Sequence, residues 1–246
     1  MSIIFYDIPT KDRTPISPNA WKTRFTLNYK DCPYKTEWIE FPHIESRCKE
    51  LGISATSTSP DGAPFYTLPA IHDPNTGAYI SDSLSIAEYL EKTYPEHPLF
   101  PHNTIGIQSA FGPAFMKNVA PLWQFIAPAM LSKVSPLSEE YVFRTKSVDF
   151  GMPLDQLLPK GEKAVEEWKK FEAGLGVVDS WYAKTGSVFL MGNEPCWADF
   201  VVGSFVVEFP RTVFGEHSQQ WKDIMSWHGG RWATLCQNLK KYEKIA

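Results

Sequence analysis

One stretch limits the possible architecture more than any other: Leu68-Pro69-Ala70-Ile71-His72-Asp73, then Tyr79-Ile80-Ser81-Asp82-Ser83 and Leu84 through Pro95. It reads as a short buried strand, a turn, a second short strand and an amphipathic helix. Pro74-Asn75-Thr76-Gly77 supplies the turn, with Gly77 free to take a positive φ. Ile86, Leu90 and Tyr94 recur at helical spacing, with Ala87 beside Ile86. Ser81, Asp82, Ser83 and Ser85 are all N-cap residues by type, so the helix is expected to begin among them. A helix that starts in a polar cluster directly after a strand pair presents free N–H groups and a partial positive charge, which suits a carboxylate. Simple capping and solvation of the helix end is the plainer account of the same residues.

Leu68-Pro69 carries a second constraint. Proline cannot donate to a sheet ladder, so at a strand start it is tolerated only at an edge or bend. Two forms are open. A trans proline opening an edge strand is the default, because only ~5–6% of X–Pro bonds are cis. A cis bond would instead turn the N–H and C=O of Leu68 outward, where an extended peptide ligand pairs with them like an added strand.

A chain of 246 residues fits one large domain or two modest ones. Net charge is −4, and no basic run exceeds Lys169-Lys170 or Lys240-Lys241, so nothing is built to neutralise a nucleic-acid backbone. Aromatic residues make up 14%, a supply that serves both a core and a site for flat apolar molecules. Cys32, Cys48, Cys196 and Cys236 are scattered, with no C-x-x-C and no histidine at ligand spacing. Reduced, mostly buried thiols and no metal are expected. Met1-Ser2-Ile3-Ile4-Phe5-Tyr6-Asp7 has neither a basic region nor a long apolar stretch, so we expect no signal peptide and a cytoplasmic location. Phe200 to Phe209 is too short to span a bilayer and carries Ser204 and Glu208.

In chain order, Ile3 to Ile8 reads as a buried strand, followed by a polar loop with Pro9, Lys11, Asp12, Arg13 and Pro15. Ser17-Pro18 is the pairing of a helix start, serine at the N-cap and proline at the first helical position. Trp21, Phe25, Leu27 and Tyr29 populate that helix to about Lys30-Asp31. Tyr34 to Phe41 is read as a second strand, Ile44 to Leu51 as a short helix closed by Gly52, and Ile53 to Tyr66 as loop. Residues 1–95 thus read β-α-β-α-β-β-α, with the first two strands parallel across a right-handed crossover and a closing hairpin of antiparallel edge strands. Residues 96–104 form a linker, and residues 105–246 are helical. Pro113, Pro121 and Pro128 are expected to kink or divide a helix carrying Phe111, Phe115, Leu122, Trp123, Ile126 and Met130. Ser138-Glu139-Glu140 opens another helix towards Phe150, Lys163 to Lys184 is a third, and Cys196-Trp197-Ala198-Asp199 starts an almost wholly apolar one to about Phe209. Gln219 to Trp227 and Arg231 to Lys241 complete the bundle.

This order, with Leu68-Pro69 and Ile80-Ser81-Asp82-Ser83-Leu84-Ser85-Ile86-Ala87-Glu88-Tyr89-Leu90, resembles the cytosolic glutathione transferases over essentially the whole chain. The resemblance implies an α/β plus all-α protein: a thioredoxin-like N-terminal domain followed by an all-helical domain that forms the acceptor pocket. It also implies a cis Pro69 and a homodimer. Asp199 matches the family's buried capping aspartate, while Cys196 stands where that capping box usually has Ser or Thr, a departure worth about 1 kcal/mol of cap. Ser17-Pro18-Asn19-Ala20-Trp21-Lys22-Thr23-Arg24 and Phe143-Arg144-Thr145-Lys146 before Phe150-Gly151 are most similar to the etherase-like branch of fungi and lignin-degrading bacteria.

The resemblance assigns roles to single residues. Leu68, Pro69, Asp82 and Ser83 would hold glutathione, Ser83 taking the γ-glutamyl carboxylate and Asp82 the ammonium. His43 would hold the glycyl carboxylate, although a solvated loop histidine explains it as simply. The thiol must become a thiolate to attack an electrophile. Ser17 is the candidate donor to sulfur at a helix start, with Asn19 its rival, and a serine cannot form the mixed disulfide of a reductase. Trp21, Phe111, Phe115 and Trp123 would wall an acceptor pocket between the domains, and core packing accounts for each equally well. The expected function is attack by glutathione thiolate on electrophilic aromatic or aryl-ether compounds. The alternatives are a ligandin that sequesters aromatic or polyphenolic compounds and a regulatory protein without turnover.

Overall fold

The computed structural model describes residues 1–59 and 62–246. Its N-terminal half is built on β1 (Ile3–Asp7), α1 (Pro18–Tyr29), β2 (Tyr34–Trp38), α2 (Ile44–Leu51), the two-residue strands β3 (Ser57–Thr58) and β4 (Pro64–Phe65), β5 (Ala70–Asp73), β6 (Ala78–Ser81) and α3 (Ser83–Thr93). The main sheet has the order β2-β1-β5-β6. β1 and β2 are parallel with Phe5 opposite Thr36, and β5 runs antiparallel to both β1 and β6. β5 is therefore interior, and only β6 of the closing hairpin is an edge. The other edge, β2, meets the C-terminal tail, where Thr36 N–H donates to the carbonyl of Ala246 at 2.8 Å.

This is a thioredoxin-like domain, and each sheet face has its own core. Ile3, Phe5 and Ile71 pack with Ala20 and Leu27 of α1 and Ile86 and Leu90 of α3. Tyr6, Ile8 and Ala70 pack on the other side with Ile44 and Cys48. Gly52 at φ 70 closes α2 as a left-handed C-cap. Gly77 at φ 77 completes the β5–β6 turn.

Two readings along this half are corrected. The second strand ends at Trp38, because Phe41-Pro42-His43 forms a 3-10 turn in place of extended chain. The stretch from Ile53 to Tyr66 is not all loop, since β3 and β4 pair antiparallel with Ser57 opposite Phe65. All four residues of that ribbon are exposed, so no burial pattern marks it in the sequence.

The segment after α3 is tied back to Glu91 of that helix. Leu99 and Phe100 N–H donate to the Glu91 carboxylate at 3.0 to 3.2 Å. The Lys30 ammonium caps the same carboxylate at 2.7 Å.

The helical half contains α4 (Ile105–Val119), α5 (Trp123–Met130), α6 (Pro136–Phe150), α7 (Gly161–Thr185), α8 (Trp197–Val202), α9 (Phe209–Phe214) and α10 (Gln219–Leu239). Of the three prolines expected to break the first helix, Pro121 does so within the turn Ala120–Leu122. Pro113 and Pro128 are carried inside α4 and α5. α6 opens earlier than Ser138: Ser135 is its N-cap, its hydroxyl accepting from Ser138 N–H, with Pro136 at the first position. α8 continues through a π-helical turn, Gly203–Glu208, into α9, so this rod runs to Phe214 and past Phe209. α10 bends where Trp227 to Gly230 leave helical geometry, the point at which the sequence separates two helices.

α1 belongs to both halves. Ala20 and Leu27 enter the sheet core, whereas Trp21, Phe25 and Tyr29 enter the large core of the helical half. Phe25 stacks on Phe200 at 5.6 Å between centroids. Arg24, also fully buried, donates to Asp7 at 2.6 Å and to the Tyr34 hydroxyl at 3.1 Å.

Candidate active site

The topology collects the candidate residues at one end of the main sheet. β1, β2 and β6 all point the same way, so the segments that follow them share one edge, and the segment entering the antiparallel β5 lies there too. Ser17 follows β1, His43 follows β2, Leu68-Pro69 enters β5, and Asp82-Ser83 follows β6.

Ser17 is the N-cap of α1, in extended geometry at φ −78, ψ 121. Its Oγ accepts from Ala20 N–H at 3.3 Å. A capping hydroxyl works as an acceptor, so its own proton stays available to an anion lying against the helix end. Asn19 is exposed on the first turn, and its amide makes no hydrogen bond among the described residues.

Across the sheet, Asp82 is the N-cap of α3 at φ 75, ψ 129, outside the left-handed helical region and strained for a residue with a side chain. Its Oδ1 accepts from Leu84 and Ser85 N–H at 3.0 Å each. Oδ2 has no partner among the described residues. Ser83, 4% exposed, also has no side-chain partner among them. The Leu68–Pro69 peptide is cis, and Asp82 N–H donates to the Pro69 carbonyl at 3.3 Å. The open helix end thus offers a free carboxylate oxygen, a free hydroxyl and N–H dipoles within two residues. His43 is exposed on its 3-10 turn, its carbonyl accepting from Ser46 Oγ at 3.1 Å.

Of the four aromatic residues expected to wall an acceptor pocket, Trp21 is buried against Phe25 at 5.4 Å and lines a cleft of about 330 Å³. Thr10, Thr14 and Pro15 form one wall of that cleft, and Lys133, Glu208 and Arg211 form the other. Phe115 is fully buried and stacks on Phe111 at 6.0 Å, with Trp181 behind Phe111. Trp123 packs on Phe205 and Phe209 at 6.3 and 5.8 Å. These last three are joined to the helical core and do not line the Trp21 cleft.

The structure adds a residue that the sequence reading passes over. Lys22 is half-buried on α1, with its Nζ 5.9 Å from the Trp197 ring and 5.8 Å from the Phe205 ring. Desolvation pushes its ammonium down to about 8, against the pull of the Asp82 carboxylate. The only sequence signal is a lysine, one of two cations of α1 with Arg24, set beside the apolar stripe of Trp21, Phe25 and Tyr29.

At the start of α8, the Asp199 carboxylate accepts from Leu190 N–H at 3.0 Å, Cys196 N–H at 2.9 Å and Cys196 Sγ at 3.1 Å. The Cys196 thiol thus takes part in the cap in place of the usual hydroxyl, and burial pushes its pKa far up, so it stays protonated. All four cysteines are free thiols. No group of His, Cys, Asp and Glu among the described residues is arranged to hold a metal.

Comparison with known proteins follows the same division of the chain. Residues 16–93 match the family model of the glutathione S-transferase N-terminal domain, and residues 106–242 match that of the C-terminal domain. A glutathione S-transferase of Ceriporiopsis subvermispora, solved in complex with glutathione, is 41% identical with a TM-score of 0.94, covering 100% of this chain and 99% of that one. The glutathione transferase GSTFuA3 of Phanerochaete chrysosporium is 38% identical with a TM-score of 0.93, covering 100% and 99%. A glutathione S-transferase-like protein of Aspergillus flavus, ustS, is 29% identical over 94% of this chain and 86% of its own length.

Proposed function

The chain belongs to the glutathione S-transferase family, and from that premise we propose that it is an etherase-like transferase acting on electrophilic aromatic or aryl-ether compounds. The observation that carries the glutathione site is the open N-terminus of α3. There the free Oδ2 of Asp82 and the free hydroxyl of Ser83 match the ammonium and carboxylate of a γ-glutamyl group. Leu68 supplies backbone groups to the cysteinyl residue beside Pro69, and His43 faces the glycyl end.

In the proposed reaction Ser17 donates its hydroxyl proton as a hydrogen bond to the glutathione sulfur and holds it as thiolate. Asn19 is the second donor within reach of that helix end. The thiolate attacks the carbon bearing an aryloxy or other leaving group. A C–S bond forms, the C–O bond breaks with its electron pair going to the phenolate oxygen, and the proton given up by the thiol balances the released phenol. Trp21 at its cleft, with Phe111, Phe115 and Trp123 further into the helical half, supplies the apolar surface for the acceptor.

We read the protein as a cytoplasmic homodimer. Its four free thiols suit a reducing compartment, and exposed apolar side chains such as Ile107 and Val148 offer material for an interface. No helix among the described residues is long and apolar enough to cross a membrane.

The deciding experiment incubates the protein with glutathione and a panel of aryl ethers and halonitroarenes. Glutathione-dependent release of phenol or halide supports the transferase reading. Tight binding of unreactive polyphenols with no turnover on any member of the panel would replace it with the ligandin reading, which the aromatic clusters also accommodate.

A further inference from the structure

We propose that Lys22 is the counter-charge for the γ-glutamyl α-carboxylate of glutathione, and that it takes up a proton as that carboxylate arrives. The inference rests on placing the γ-glutamyl group at Asp82 and Ser83, and adds to that site a cation from α1.

The basic residues of α1 and its C-cap differ in what they are paired with. Arg24 is paired with Asp7 at 2.6 Å, and Lys30 with Glu91 at 2.7 Å and with the carbonyls of Tyr94, Glu96 and His97. Lys22 alone of the three makes no side-chain hydrogen bond or ion pair among the described residues. Its Nζ lies between two aromatic rings, near the edge of useful cation–π range. A half-buried ammonium without a partner is costly, and such groups gather where a ligand supplies the missing charge.

Its surroundings name the ligand group. Asp82 on α3 is the charged neighbour that acts on Lys22, and its Oδ2 is free without bonding to the ammonium. The elements packed on the far side of α1 bring ring faces, Trp197 from α8 and Phe205 from the π-helical turn. Of their acids, Asp199 holds Cys196 and Leu190, and Glu208 holds Arg211 through Oε2 at 2.5 Å while its buried Oε1 has no partner among the described residues. An anion between Lys22 and Ser83, with a cation beside it against Asp82, leaves every charge facing its opposite. That alternation is the zwitterionic end of glutathione. In the free protein desolvation keeps Lys22 near 8, and an incoming carboxylate shifts the balance towards the ammonium.

The test uses three ligands on wild type and Lys22→Met. One is glutathione, one its analogue with 4-aminobutyrate in place of the γ-glutamyl residue, which lacks only the α-carboxylate, and one S-methylglutathione, which has no thiol to titrate. Lys22→Met is expected to weaken glutathione about ten- to a hundredfold and to leave the 4-aminobutyryl analogue unchanged. Calorimetry of S-methylglutathione at pH 8 in buffers of different ionisation enthalpy is expected to show more proton uptake by wild type than by the variant. Equal weakening of both peptides would assign Lys22 to packing and overturn the proposal, as would unchanged glutathione affinity or proton uptake that does not differ between the two proteins. If wild type binds neither glutathione nor S-methylglutathione, the glutathione site itself fails. Wild-type binding that is insensitive to Lys22→Met but lost in Ser83→Ala sinks only the role of Lys22.

Discussion

Two helix N-termini in this protein are built around an aspartate, and they differ in what is left over. At α8 the Asp199 carboxylate is fully buried and spends its oxygens on two N–H groups and a thiol. At α3 the Asp82 carboxylate is exposed, spends one oxygen on two N–H groups and leaves the other free, beside an unpartnered Ser83 hydroxyl. Both ends satisfy the helix. Only the second retains bonding capacity facing outward, so the same residue type is a rivet in one place and a receptor in the other.

The largest effect should come from breaking the sealed end. Asp199→Ala strands two buried N–H groups and a buried thiol, which is expected to cost about 3–5 kcal/mol in unfolding free energy. Urea denaturation read by tryptophan fluorescence measures it. A loss below about 1 kcal/mol would mean that the α8 cap is not a structural rivet.

The α1 terminus stands between these extremes, because Ser17 caps its helix and still has a proton to give. Ser17→Ala removes a hydrogen bond to a charged sulfur, worth roughly 1.5–3 kcal/mol, or about ten- to a hundredfold in conjugation rate. Glutathione affinity should change little, and the pKa of the bound thiol should rise. An unchanged rate together with an unchanged thiol pKa would transfer the role to Asn19.

The open end should respond in binding and not in stability. Asp82→Asn keeps a side-chain oxygen for the cap, and Ser83 makes no bond that Ser83→Ala could lose, so both should stay within about 0.5 kcal/mol of wild-type stability. Each should weaken glutathione by about tenfold, and less than additively when combined, since they hold two charges of one group. Normal affinity in both variants by calorimetry would remove glutathione from this helix end.

How much of this the sequence discloses depends on how local the cause is. Ser17-Pro18, Gly52, the Pro74 to Gly77 turn and Asp82 act through their own neighbours along the chain, and each stands in the structure where its chemistry points. The β3–β4 ribbon has no buried residue, hence no pattern to read. The π-helical turn Gly203–Glu208 is buried on every side, so its period leaves no polar face to betray the extra residue per turn. Lys22 was hidden for a different reason. Its setting is made by Asp82, Trp197 and Phe205, distant in sequence and brought to α1 only by packing of the two halves.

Lys22 yields the most diagnostic effect, because it carries the open end's unspent charge in a form that pH can read. In the unfolded chain a lysine titrates near 10.4, whereas in the folded, ligand-free protein Lys22 titrates near 8. Between those values the unfolded state binds more protons at Lys22 than the folded one, so the contribution of Lys22 to stability should rise as pH increases from about 8 to about 10. It is opposed by the buried thiols of Cys32 and Cys236, which burial raises to about 11, and the difference between wild type and Lys22→Met isolates it. Below pH 8 both states carry the proton, and the cost of the half-buried charge is constant. Lys22→Met should therefore be more stable than wild type near pH 7, with the gap closing as pH rises. Saturation with S-methylglutathione should flatten the wild-type slope, since a carboxylate beside the ammonium brings the folded-state pKa back towards that of the unfolded chain. Urea melts at half-unit pH steps, with and without the ligand, provide the measurement. A wild-type slope over this window that matches Lys22→Met would show that the ammonium is already solvated, and the contrast between the open and sealed helix ends would then rest on Asp82 and Ser83 alone.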